Sequence, residues 1–177
     1  MAKTTTKKPA VADDSVEMVK EEPARIVPKE IDPNQYITVR NGFHGTLVYK
    51  SRKTGEVFIW DSFGSEQEIE LSELRNARNS SKAFFINNWF MFDEDYSWVI
   101  DYLGMRQYYK HSLTIDAFDD IFKQTPAQIK KTIAELSDGQ KKTVAYRASE
   151  LIANGEIDSR KVITALEEAL GIQLIEK

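Results

Sequence analysis

Ten of the nineteen aromatic residues in this 177-residue chain fall between Phe84 and Tyr109. They are Phe84, Phe85, Trp89, Phe90, Phe92, Tyr96, Trp98, Tyr102, Tyr108 and Tyr109. Large aromatic side chains dominate the energetics of cores and of interfaces. Whatever the chain folds into is organised around this belt, as its core, as a binding surface, or as both. The consecutive run Trp89, Phe90, Met91 and Phe92 sharpens the point. Neither a helix nor a strand can bury four successive side chains against one partner, so a second layer must cover some of them. If the run is a strand, alternation pairs Trp89 with Met91 and Phe90 with Phe92. One pair then faces the subunit's interior, and the other an interface with the helices or with another chain.

On either side of the belt the pattern changes period. Tyr36–Arg40, Thr46–Tyr49, Val57–Trp60 and Glu68–Leu71 are short runs rich in β-branched and aromatic residues. Turn residues Asn41-Gly42, Lys50–Gly55 and Asp61–Gly64 separate them. Four strands this close predict a small antiparallel sheet or an SH3-like barrel, with a hairpin across Lys50–Gly55. After Ser72 as N-cap, Leu74, Ala77, Ser81 and Phe85 recur at helical spacing, which predicts one helix to about Asn87. Asp95 is placed to cap a helix through Val99 and Leu103, with Gly104 ending it.

The last third reads as helix throughout. Thr114 precedes Phe118, Ile121 and Phe122. Thr125-Pro126-Ala127-Gln128 is a capping box with proline at the first helical position. Ser137–Gln140 repeats the device ahead of Val144, Ala148, Leu151 and Ile152. Asn154-Gly155 stops that helix, and Asp158 caps a last one carrying Val162, Leu166 and Leu170 to Gly171. The expected fold class is α+β, in three parts. Residues 1–35 form a disordered or draped arm. Residues 36–112 hold a β-rich domain with a helix and the aromatic connector. Residues 113–177 form a small helical bundle.

The arm is low in apolar side chains, carries four of the five prolines, and nearly balances its basic and acidic residues. Such composition does not bury enough surface to offset the entropy of ordering. Its few anchors are Val11, Val16, Met18, Val19, Ile26 and Val27.

Composition excludes several chemistries. The chain has no cysteine, hence no disulfide, thiolate metal site or thiol nucleophile. The net charge of -4 argues against a general affinity for nucleic acid, which needs a basic face. The N-terminus carries charge and no apolar core, so it is not a secretory signal. Synthesis in the cytoplasm is the expectation, with no membrane partner. Only two histidines are present, His44 and His111, and neither adjoins a nucleophile motif. Asp93, Glu94, Asp95 and Asp101 lack the glycine and the register of a calcium loop. No phosphate-binding loop is present. No catalytic residue, metal or cofactor is expected.

Two surfaces remain. The first is the belt, with Trp89, Phe90, Met91, Phe92, Trp98, Tyr108 and Tyr109 as interface residues for protein partners, either other subunits or copies of the chain. The second is the basic hairpin loop Lys50, Arg52 and Lys53, beside Tyr49, Phe58 and Trp60 as stacking partners for a nucleic acid. At Tyr36–Lys50 and Asn87–Asp95 the chain resembles small uncharacterised proteins of tailed phages and prophages of Gram-positive bacteria, which are grouped with virion structural genes. The resemblance spans residues 36–175. It implies a structural or assembly role, incorporation into a virion, and no catalytic site. The leading expectation is a non-enzymatic structural or interaction protein of a larger assembly. The alternative is a nucleic-acid-binding or regulatory module.

Overall fold

The computed structural model describes residues 30–175; the arm's anchors and most of its length lie outside them. Five strands and six helices follow one another in the α+β order that the sequence predicts. They are β1 (Tyr36–Asn41), β2 (Leu47–Lys50), β3 (Val57–Trp60), β4 (Glu66–Glu70), α1 (Leu71–Ser80), α2 (Ala83–Ile86), β5 (Phe90–Met91), α3 (Ser97–Tyr102), α4 (Pro126–Glu135), α5 (Asp138–Ala153) and α6 (Arg160–Leu170). Short 3-10 turns at Glu94–Tyr96, Arg106–Tyr108 and Phe118–Lys123 complete the set. Among the described residues, no helix is long and apolar enough to cross a membrane.

The strands do not close into a barrel. They form a three-stranded antiparallel sheet in the order β4-β1-β5 and a separate ribbon of β2 and β3. Where a ladder between β3 and β4 would begin, the Gln67 side chain donates to the Ile59 carbonyl instead, at 2.8 Å. Alternation in β1 turns Ile37 and Val39 inward beside Ile69 of β4. The ribbon's inner face brings Leu47, Tyr49 and Trp60 against them, and Leu74, Ala77, Phe85 and Phe90, with Trp98, Val99 and Leu103 around α3, join this first core. The Trp60 indole N–H donates to the Val39 carbonyl at 2.8 Å, which ties ribbon to sheet. Burying side chains of this size contributes roughly 1.5–3 kcal/mol each.

The helix expected from Ser72 to Asn87 is two helices. Its N-cap is Glu70 rather than Ser72, so it starts two residues early, at Leu71, and it breaks after Ser80. There the Ser80 hydroxyl bonds back to the Asn76 carbonyl at 2.8 Å, the kind of competition that weakens a helix at serine. Phe85 still reaches the core, from α2.

Helices α4, α5 and α6 and the 3-10 turn at Phe118 enclose a second core of Phe118, Ile121, Ile129, Ile133, Val144, Ala148, Ile163 and Leu166. At the Thr125–Gln128 capping box the Gln128 side-chain oxygen accepts from the Thr125 N–H at 3.1 Å and from the Thr125 hydroxyl at 2.8 Å. At α5 only half of the expected box is made. Ser137 accepts from the Gln140 amide, but the Gln140 side chain turns away to Leu113, accepting from its N–H at 3.0 Å and donating to its carbonyl at 2.8 Å. The cap of α6 is Ser159 rather than Asp158, and Gly171 ends it in the left-handed conformation.

The two cores meet at a seam made of backbone and small side chains. Gly139 of α5 lies so close to Asn87 that a Cβ on it would sit 2.2 Å from the Asn87 carbonyl oxygen. A Cβ on Gly42 would sit 2.1 Å from the Asn88 carbonyl oxygen. Asn88 itself takes a positive φ of 54°, held by its side chain donating to the Tyr108 carbonyl at 2.9 Å. The Thr143 hydroxyl donates to the Gly42 carbonyl at 3.1 Å across the same seam.

Candidate interaction surface

The belt supplies the second layer from within the chain. Its consecutive run contributes a two-residue strand, β5, paired to β1 at Arg40↔Met91 and Asn41↔Phe90. Phe90 is fully buried, with Tyr49, Trp60, Phe84 and Phe85 around its ring at centroid distances of 4.8–5.5 Å. Met91 is buried on the other side, beside Gly42 and with its sulfur 4.0 Å from the Gln140 amide nitrogen. Phe90 and Met91 take opposite faces as alternation requires, one in the first core and one against α5, but burial does not follow the expected pairs. Phe90 and Met91 are the buried pair, and Trp89 and Phe92, which flank the strand, are half-buried. A strand of two residues sandwiched between the first core and α5 has no solvent face.

Trp98 is buried too, and Tyr108 and Tyr109 are half-buried. The Tyr109 hydroxyl donates to the Phe90 carbonyl at 2.6 Å, and burial pushes its ionisation well above the usual tyrosine range. A partner can reach Phe90, Met91 and Trp98 only if they leave the core.

The basic loop is exposed at Lys50, Arg52 and Lys53, but its expected stacking partners face the other way. Trp60 and Tyr49 are buried, and Phe58 is half-buried and stacked on Tyr49 at 5.9 Å. The Tyr49 hydroxyl donates to the buried Glu73 carboxylate at 2.5 Å. Burial, and then Glu73, push that hydroxyl's ionisation far up.

What the ribbon does expose is apolar. On its outer face Val48, Val57 and Ile59 are 51%, 49% and 48% exposed, the largest exposures among the described valines and isoleucines. Val48 and Ile59 are directly paired, and Lys50 pairs with Val57. Hydrogen-bonding parity follows from the turn, where the Ser51 N–H donates to the Glu56 carbonyl at 2.8 Å. In an antiparallel ladder the bonded pairs alternate with unbonded ones. Ser51, Tyr49 and Leu47 therefore bond toward β3, and the backbone groups of Val48 and Lys50 point away from it. Among the described residues, no strand pairs with the outer edge of β2, which lies beside an apolar face.

Sequence reasoning placed both strands but missed this surface. The signal was available in the alternation itself. If Leu47, Tyr49 and Trp60 are taken as inward, then Val48 and Ile59 are outward.

A concave site lies where the two cores adjoin. A cleft of about 430 Å³ is lined by His44, Ser62, Phe63 and Phe118 on one side and by Thr143, Tyr146, Arg147 and Glu150 of α5 on the other. His44 stacks on Tyr146 with ring centroids 4.7 Å apart. Burial lowers its pKa, and Lys142 lowers it further. Arg147 is held by Asp119 at 2.7 Å and by Glu150 at 3.4 Å, and those carboxylates raise its already high pKa. Asp116, also in the lining, lies 3.7 Å from Arg40. The cleft's one arginine is thus held by two carboxylates, and with Asp116 the lining carries more negative than positive charge. No hydrogen bond joins Ser62 to His44, the contact a nucleophile and its base would make. His111 instead lies 3.2 Å from Glu135 on the surface. Among the described residues, no group of three or more His, Asp or Glu is placed to hold a metal.

Compared with protein-family models, with curated proteins and with solved structures, the chain matches none.

Proposed function

We propose that the protein is a non-enzymatic structural subunit that acts by binding other protein chains, and that the β2–β3 ribbon is its binding surface. The observation that carries this reading is the ribbon's outer face, where three β-branched apolar side chains stand half-exposed beside an open strand edge. A long-lived unpaired edge with an apolar face is a liability in a protein that works alone. It is an asset in one whose edge is covered on assembly, because main-chain bonds supply affinity and alternate side chains supply specificity. The resemblance to virion structural proteins points to a tailed-phage particle as the assembly.

The test is recovery of the tagged chain from its native source, wild type beside Ile59→Lys. Ile59 lies on the exposed face, so the variant folds, and its melting temperature should match the wild type. The expected result is a stoichiometric protein complex for the wild type that the variant fails to form. If the complex survives in the variant, the ribbon is not the binding surface. Loss of bound nucleic acid on replacing Lys50, Arg52 and Lys53 with glutamine would favour the nucleic-acid reading instead.

A further inference from the structure

We propose that the first partner of the ribbon is a second copy of the same chain, joined through antiparallel pairing of β2 with β2 across a two-fold axis at Val48. This rests on the reading of the ribbon as a binding surface and assigns it an occupant.

Three observations select this arrangement. The first is parity. Because the backbone groups of Val48 and Lys50 point out of the ribbon, a strand added antiparallel must place residues of even number opposite one another. The registers that pair two copies through the middle of β2 are then Val48 with Val48, Val48 with Lys50, and Lys50 with Lys50.

The second observation is charge. Pairing Lys50 with Lys50 sets two ammonium groups face to face and crowds the Arg52 and Lys53 tips together, which is unfavourable directly across a ladder. Pairing about Val48 does the reverse. It sets Lys50 of each copy opposite Thr46 of the other. Thr46 in turn lies beside Asp61, and its hydroxyl donates to the Asp61 carbonyl at 3.2 Å. Asp61 is exposed. The Lys50 stem then passes over Thr46 toward the Asp61 carboxylate, once in each direction, and the two basic tips point to opposite ends of the new sheet.

The third observation is the match of apolar side chains. Val48 is paired with Ile59 within the ribbon. A two-fold at Val48 therefore lines up Ile59, Val48, Val48 and Ile59 in one row across four strands. The row that is half-exposed in one copy becomes continuous in two. The intermediate register, Val48 with Lys50, interrupts this row with a charge. A closed two-fold contact also removes both open edges at once, which a head-to-tail contact does not.

The absence of cysteine from the sequence makes the geometry directly testable in the full chain. Residues paired at a bonded position have Cα atoms about 5.5 Å apart, inside the roughly 4.4–6.8 Å that a disulfide spans. Under mild oxidation, Val48→Cys should cross-link to a covalent dimer, whereas Val57→Cys, on the far strand of the ribbon, should not. By sedimentation velocity the wild type should be dimeric. Val48→Lys, which puts two ammonium groups at the axis, should weaken the dimer on the order of a hundredfold with an unchanged melting temperature. Lys50→Glu and Asp61→Lys should each weaken it, and the double exchange should restore it.

A wild type that stays monomeric to the highest soluble concentration overturns the proposal. So does a dimer that Val48→Lys leaves intact, or one in which Val57→Cys cross-links as well as Val48→Cys. A monomeric wild type that still forms its native complex, and loses it with Ile59→Lys, removes self-pairing while leaving the binding surface standing.

Discussion

Gly139→Ala sets two known effects against each other at the seam between the cores. Gly139 is the second residue of α5. In an unobstructed helix, alanine is more favourable than glycine by about 1 kcal/mol, so propensity alone predicts a more stable protein. The structure predicts the opposite. The new Cβ would lie 2.2 Å from the Asn87 carbonyl oxygen, 2.5 Å from the Asn87 Cβ and 2.9 Å from the Asn87 carbonyl carbon. Two of these three are backbone atoms, which cannot rotate away as the end of a side chain would.

Relief requires α5 to retreat by about the width of the overlap. That movement strains the contacts anchored at its first turn, namely the two Gln140 bonds to Leu113 and the Thr143 bond to Gly42. Overpacking costs about 1–3 kcal/mol, and each weakened bond adds up to about 1 kcal/mol. Against the propensity gain, the net loss should be about 2–4 kcal/mol, a substantial part of a domain's usual total of roughly 5–15 kcal/mol. Urea unfolding followed by tryptophan fluorescence measures it as a lower midpoint at constant slope. A midpoint equal to or above the wild type would refute the close approach of α5 to Asn87, and with it the account of how the two cores are joined.

Three further outcomes test other parts of the fold. Phe90→Ala should cost about 3–5 kcal/mol, because four aromatic rings surround it, whereas Phe92→Ala should cost distinctly less; equal losses in urea titrations would contradict their different burial. Tyr49→Phe leaves the buried Glu73 carboxylate with only the Asn76 amide, at 3.0 Å, and should cost about 1–3 kcal/mol, read as a lower thermal midpoint with the ribbon still in place. The folded-state pKa of His44 is lowered, first by burial and then by Lys142. The unfolded chain therefore binds the proton more readily, so stability from neutral His44 is complete above the unfolded value and is lost as pH falls toward the folded one. Relative to wild type, His44→Gln should flatten the fall in melting temperature between about pH 7 and pH 5; parallel curves would show that His44 is not involved.

The sequence was legible where one residue type has one physical use. Thr125-Pro126 with Gln128 admits little besides a helix start, and Gly104 and Gly171 take positive φ at the ends expected of them. The α+β order, the hairpin and the aromatic centre followed from period and clustering. What stayed hidden depends on contacts distant in sequence. Gln140 fits a capping box in its local sequence, and only the proximity of Leu113 draws its side chain away. The belt's share between core and surface was not legible either, because alternation counts the faces of a strand and not what covers them. Met91 is buried only because α5 lies over it. The ribbon's exposed valines and isoleucine were visible as residues, but nothing local says that β3 and β4 fail to continue into one ladder.

The seam described above has a mechanical consequence. The Asn87 carbonyl seats against Gly139 with no side chain between them, like a key in its slot. Sliding one core past the other drives an oxygen into an α-carbon, and close-packed matter resists that steeply. Pulling the cores apart breaks the Gln140 and Thr143 hydrogen bonds and uncovers Met91, the Phe63–Phe118 contact and the His44–Tyr146 stack, but drives no atom into another. The molecule should therefore be stiffer under shear than under tension along that line. Under load it should part there first, into two pieces that each keep their own apolar interior.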